Sequence, residues 1–234
     1  MLIYKFDKEL VPAIFLRRLN KFLIEVELNG KVTLCHLHDP GRLEEILKKG
    51  RKLLLIQKEG NRKTKYDVIA AFMEDWVLIH SGYHSLLAEN LLKNNLIKDL
   101  TGYKIEKREF KYGSSRIDFL LSGNKKCLLE VKGCTLAKDG IAMFPDAPTA
   151  RGRRHIMELM DAMGKGYEAA MLFLIMRNAY TFSPNWDIDR DFSLTLKKAY
   201  EKGIKIIACR IKFKEKQVYY AGEIPVIMEM NIDL

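Results

Sequence analysis

The chain has 234 residues, of which 48% are hydrophobic, so a sizeable core can form. Its 40 Lys and Arg stand against 30 Asp and Glu, a formal net charge of +10, which suits a polyanion partner and equally serves to solvate a surface. No apolar run approaches the ~20 residues of a membrane span. Cys35, Cys127, Cys134 and Cys209 have no paired spacing, which argues against a zinc site or a disulfide framework and for buried free thiols.

Met1 to Leu10 already carries Lys5, Asp7, Lys8 and Glu9, so no signal peptide is expected and the reading is a reduced, cytoplasmic protein. The basic surplus is spread over both halves, so a polyanion surface would draw on both. Lys21 to Leu28 alternates as a strand, Asn29-Gly30 marks a two-residue hairpin turn, and Lys31 to His38 is the partner strand. Asp39-Pro40-Gly41 breaks that strand, and Arg42 to Lys49 reads as a short helix. Arg51 to Lys58, Lys65 to Met73 and Trp76 to His80 complete five strands. A small barrel of the OB type fits this pattern.

From His84 the period changes. Leu86, Leu87, Leu91 and Leu92 give an amphipathic helix over His84 to Asn94. Strands follow at Ser115 to Leu121 and Cys127 to Lys132, then a helix from Thr149 to Met163 with Thr149 as a candidate cap. Ala169 to Met176 is a strand, Ser193 to Lys202 a helix ending at Gly203, and Ile204 to Ile211 a strand. Alternating strands and helices make this half α/β. The expected domains are residues 1–82 and 83–234.

Within the second half, Glu130 and Lys132 share one face of their strand, while Leu129 and Val131 point to the core. Asp118 lies opposite Ile117 and Phe119. Gly123-Asn124 between the two segments is a turn signal, so pairing as a hairpin brings the Asp118 and Glu130 carboxylates together. Two such carboxylates repel and gain from a shared hard cation, Mg²⁺ or Mn²⁺. A lysine beside them can orient water or stabilise charge on a phosphate, which suits phosphodiester hydrolysis. A surface hairpin with an ordinary salt bridge is the other reading, and on these residues alone the commoner one.

Ser115-Arg116-Ile117-Asp118-Phe119, Glu130-Val131-Lys132 and Phe144-Pro145-Asp146-Ala147-x-Thr149-x-Arg151-Gly152, with His155 and Glu158, resemble the sugar fermentation stimulation protein A family. Arg17 to Phe22, His36 to Arg42 and Arg62 to Tyr66 are similar too, so the likeness covers essentially the whole chain. The resemblance implies an N-terminal OB-like domain and a C-terminal domain of the PD-(D/E)xK nuclease type. It carries over Asp118, Glu130 and Lys132 as the motif residues, and Glu89 as the extra acidic residue on the helix that opens the second domain. Ile117 stands where the motif's name has proline.

Arg151, His155 and Glu158 share one face of the helix after Thr149. A helix N-terminus flanked by arginines suits phosphate, and the resemblance favours Arg151 and His155 as functional, His155 as a phosphate contact or proton donor. A solvated helix face is the other reading. His36 and His38 share a strand face and read as structural histidines. Arg17, Arg18 and Lys21 with Phe15 and Phe22 form a candidate surface for single strands, against ordinary barrel core with solvated charges. Arg42, on resemblance, is a candidate phosphate contact, as is Arg116. The expected function is a DNA-binding protein with a divalent-metal phosphodiesterase site. The alternative is a non-catalytic DNA-binding regulator linked to sugar metabolism that retains the nuclease fold. A metabolite enzyme has no Gly-rich nucleotide loop to support it. The sequence leaves the oligomeric state open, homodimer included.

Overall fold

A computed structural model of the protein describes residues 1–229. They form two compact units, Met1–Tyr83 with Ile211–Ala221, and His84–Arg210 with the chain from Gly222. The sequence places the boundary between residues 82 and 83. The division observed falls one residue later and assigns 211–221 to the first unit.

The first unit contains β1 (Leu2–Lys5), β2 (Leu10–Asn20), β3 (Leu23–Leu28), β4 (Lys31–His36), β5 (Lys52–Gln57), β6 (Tyr66–Phe72) and β7 (Trp76–Leu78). The strand order β4-β3-β2-β5-β6 closes through a parallel pairing of β4 with β6, at Cys35↔Tyr66 and His36↔Asp67. This is the OB barrel expected. Its hairpin turn is as read: Asn29 and Gly30 take φ of 50° and 73°, the left-handed conformation such a turn needs.

Two expectations for this unit fail. The fifth barrel strand is β2, not Trp76 to His80, because β7 only extends β6 outside the closed ring. In β2 the buried Leu10, Ala13 and Phe15 alternate poorly with their neighbours, since Pro12 interrupts the pattern and irregular register follows at Phe15/Arg17 and Arg18/Asn20. Arg42 to Lys49 is a chain of turns, not a helix. Leu43 sits at φ 54°, and side chains take the carbonyls that helix amides would. Arg51 donates to Glu45 O and Ile46 O at 3.3 and 3.0 Å, and Arg18 donates to Gly41 O and Arg42 O at 2.8 and 2.6 Å.

The second unit runs α1 (His84–Lys93), β8 (Lys104–Tyr112), β9 (Ser115–Ser122), β10 (Lys126–Cys134), β11 (Leu136–Lys138), β12 (Ile141–Phe144), α2 (Ala150–Gly164), β13 (Glu168–Ile175), β14 (Thr181–Pro184), α3 (Arg190–Glu201) and β15 (Lys205–Lys214), with β15 passing into the first unit at Ile211. The α/β class expected for this half is observed. Its sheet has the order β15-β13-β10-β9-β8, with β13 parallel to β10 and β15, and β9 antiparallel to β10. The next strand, β16 (Gln217–Glu223), returns to pair antiparallel with β1 in the first unit.

Ile156, Leu159 and Ala162 of α2 and Phe192, Leu196 and Ala199 of α3 bury one stripe each in a core shared with Met171, Phe173 and Ile175 of β13, α2 packing on β13 and α3 on α2 and β14. Each fully buried Ile, Leu, Phe or Met side chain among these contributes roughly 1.5–3 kcal/mol. The helix starts are fixed by capping. Thr149 Oγ1 accepts from Gly152 N at 3.0 Å, and one carboxylate, Asp189, accepts from Phe192 N at 2.9 Å and Thr149 N at 2.7 Å. The four cysteines are free and buried. Among the described residues no helix is long and apolar enough to cross a membrane.

Candidate active site

The β9–β10 hairpin pairs Ser122 with Lys126 and Phe119 with Leu129. One step further in the same register, Asp118 stands opposite Glu130. There the ladder ends, because the Asp118 carboxylate itself accepts the Val131 backbone N–H at 2.7 Å. Ser85, one turn before Glu89 on α1, donates to the other oxygen of Asp118 at 3.3 Å. Gly133 lets α1 come this close: a Cβ there would lie 2.1 Å from Cε1 of His84.

Glu130 is 2% exposed, so the face it shares with Lys132 is covered and is not the surface hairpin that a salt bridge alone would give. Lys132 Nζ and His155 Nδ1 both bond to Glu130 Oε1. Arg151 Nε donates to His155 Nε2 at 3.4 Å, so the consistent tautomer has its proton on Nδ1, donated to Glu130. The second oxygen, Glu130 Oε2, is buried and has no hydrogen-bond partner among the described residues.

The two carboxylates titrate in opposite directions. Burial raises the Asp118 carboxyl to about 6, reinforced by the charge of Glu130 and only partly opposed by the Val131 N–H and Lys132. Burial also pushes Glu130 up, but Lys132 and His155 outweigh it and hold the group below the ordinary carboxylate range. The site therefore carries one firmly ionised carboxylate and one whose charge lacks compensation.

The other expected residues fall in different places. Glu89 is buried on α1 and paired with Arg108 and Lys93, the latter at 2.8 Å. Among the described residues no three His, Cys, Asp or Glu side chains converge as a metal cage. His155 is 2% exposed and sits against Glu130, so it is not placed to touch a phosphate from solvent. Arg116 and Arg151 are exposed on β9 and α2. Glu158 accepts from Ser114 N and Oγ and anchors the β8–β9 turn. In the barrel, Arg17 is tied to Glu25 at 2.6 and 3.2 Å. Arg18 spends its guanidinium on the carbonyls of Asn20, Lys21, Asp39, Gly41 and Arg42. Phe15 is core, and Lys21 and Arg42 remain exposed. Sequence reading missed Ser85 and Arg108. Ser85, Glu89 and Lys93 recur every four residues on α1, a spacing that could have flagged the first.

Asp118 and Glu130 with one orphaned buried oxygen suit a hard cation, with water completing its shell. An OB barrel followed by an α/β unit that carries this Asp, Glu and Lys arrangement defines a two-domain class. Residues 16–79 match the family described as the SfsA N-terminal OB domain, and residues 82–217 match the sugar fermentation stimulation protein RE domain. The chain belongs to the sugar fermentation stimulation protein family. It is 48% identical over 197 residues to the sugar fermentation stimulation protein homolog of Methanothermobacter thermautotrophicus, covering 82% of each chain. It is 43% identical over 219 residues to that of Thermosipho melanesiensis, covering 93% of this chain and 94% of that one. Among solved structures, Pyrococcus furiosus SfsA in complex with Ca²⁺ is similar at TM-score 0.91 and 29% identity, covering 97% of this chain and 99% of that one.

Proposed function

We propose that this protein binds DNA and carries a divalent-metal-dependent phosphodiesterase site at Asp118, Glu130 and Lys132. The observation that carries this reading is the orphaned, buried Glu130 Oε2 set opposite Asp118 with Lys132 beside it. The Ca²⁺ of the Pyrococcus furiosus relative supports a cation-binding role. A bound Mg²⁺ or Mn²⁺ would be held by Asp118 and Glu130 and would supply Lewis-acid stabilisation of phosphate charge. Lys132, held by Glu130 Oε1, orients a water and offers its ammonium to the developing charge. Val131 N–H and Ser85 fix the Asp118 carboxylate, and His155 fixes Glu130. Exposed Arg116 and Arg151 attract the phosphate backbone.

The test is incubation of DNA and RNA with Mg²⁺ or Mn²⁺, comparing wild type with Glu130→Gln and Lys132→Ala. Metal-dependent cleavage by wild type that both variants lose by 100-fold or more is expected, on the order of one transition-state charge contact or more. Equal residual cleavage by all three, or none by wild type, overturns the catalytic reading. The second reading, a DNA-binding regulator that does not cut, is favoured by the capture of Glu89 by Arg108 and Lys93, which leaves two acidic ligands at the site.

A further inference from the structure

The OB barrel carries a row of rings that the site chemistry does not use. Phe22 stacks on His36 with centroids 6.2 Å apart and planes 24° from parallel. His36 meets His38 edge to face at 5.3 Å, and His38 stacks on His80 at 4.5 Å and 14°. The outer end of the row is open, since Phe22 is 47% exposed, and His38 is exposed as well. The inner end is anchored. His80 is buried, within 3.7 Å of the Asp67 carboxylate and 4.8 Å of the Tyr83 ring. Gly82 makes room for the stack, as a Cβ there would come within 2.9 Å of His80.

The unpaired charges at the open end of this row are cationic. Lys21 Nζ lies 5.9 Å from the Phe22 ring centre. Arg18 ties the backbone of Lys21 to that of Asp39, Gly41 and Arg42, so the segments bearing Lys21, Phe22 and Arg42 are held together. The nearby Glu25 is neutralised by Arg17, whereas Lys21 and Arg42 have no ion-pair partner among the described residues. Exposed rings bordered by unpaired cations match bases with their phosphates, and a duplex hides the base faces that such rings stack on.

We infer that Phe22, His36 and His38 form a base-stacking platform, rimmed by Lys21 and Arg42, that takes a single-stranded nucleic acid. This rests on the nucleic-acid reading above and extends it to strandedness and to named residues. The fixed inner end means the rings are ordered before a strand arrives, which lowers the entropy lost on binding.

The experiment is fluorescence anisotropy of a labelled oligo-dT of about 12 nucleotides, within the span of one OB fold, in EDTA and low salt. A duplex of equal length is the comparison, and melting curves confirm folding of each variant. Phe22→Ala and His36→Ala are expected to weaken single-strand binding roughly tenfold each, the worth of a lost stacking contact. Phe22→Tyr restores it, and duplex affinity stays unchanged. Binding of the single strand by both alanine variants at wild-type strength overturns the platform and leaves the nucleic-acid reading standing, as does an equal loss on the duplex. Absence of binding to either form by wild type overturns both.

Discussion

The Asp118 carboxylate accepts the Val131 amide at 2.7 Å, so the side chain that faces Glu130 also ends the hairpin ladder. The arrangement holds two carboxylates in register at the point where the strands part. Its electrostatic consequence is the elevated Asp118 carboxyl, at about 6 against an ordinary value of 3.8. The folded state then holds that proton more tightly than the unfolded chain does. Stability contributed by protonated Asp118 is complete below about pH 4 and is lost as pH rises through 6.

Asp118→Asn removes this penalty and keeps an oxygen for the Val131 amide. In the absence of divalent cations the variant is expected to be more stable than wild type at pH 8, by up to about 3 kcal/mol for a two-unit shift. The difference shrinks towards pH 4. Urea denaturation at the two pH values measures it, and a variant less stable at pH 8 contradicts the account. Added Mg²⁺ or Ca²⁺ should raise the melting temperature of wild type and leave that of the variant nearly unchanged.

His155 acts on the site through Glu130. Removing it as His155→Ala leaves a buried carboxylate with Lys132 alone and lets its orientation relax. Metal affinity is expected to fall about 10- to 100-fold, the usual effect of losing an outer-shell partner. His155→Gln, which can still donate to Glu130, should recover part of it. Titration calorimetry with Mn²⁺ reads the affinity and a melting curve reads the fold. A melting temperature that drops while Mn²⁺ affinity holds would make His155 merely structural.

The sequence makes the site legible where period and spacing suffice. Glu130 and Lys132 are two apart on a strand, Asp118 precedes them across a turn, and all three meet. What lies out of reach is set by tertiary contact. Nothing local shows that β10 is covered on the Glu130 side, so His155 reads as a phosphate contact or proton donor, whereas its ring lies buried against Glu130. Nothing local shows that Arg18 and Arg51 take the carbonyls of the loop after β4, so its apolar spacing at Leu43, Ile46 and Leu47 reads as a helix. Pro12 and the bulges of β2 hide a barrel strand for the same reason: its pairing compensates for a pattern that looks broken.

The two adjacent arginines of β2 should separate cleanly. Arg18→Ala removes charged donors from five carbonyls and is expected to destabilise the barrel by about 2–3 kcal/mol. Arg17→Ala breaks an exposed pair with Glu25 and should leave stability nearly unchanged. For nucleic-acid binding the order reverses towards the exposed cations. Lys21→Ala and Arg42→Ala should each lower the slope of log affinity against log salt by about one. Melting curves and salt titrations distinguish the roles. A slope unchanged in both variants would remove Lys21 and Arg42 from the interface.

Gly133 links the packing of α1 to the site. A methyl group there meets the His84 ring at 2.1 Å, a separation that no rotamer of a methyl can relieve, so α1 or the ring must move. Overpacking of this kind costs about 1–3 kcal/mol. Because Ser85 follows His84 directly and donates to Asp118, a shift of α1 withdraws that hydroxyl from the carboxylate. Gly133→Ala is therefore expected to lower the melting temperature and to weaken Mn²⁺ binding together. Ser85→Ala should weaken Mn²⁺ binding with little loss of stability, since its 3.3 Å bond is long and only part-buried. If Gly133→Ala destabilises the fold while Mn²⁺ binds as in wild type, the coupling between α1 and Asp118 is absent.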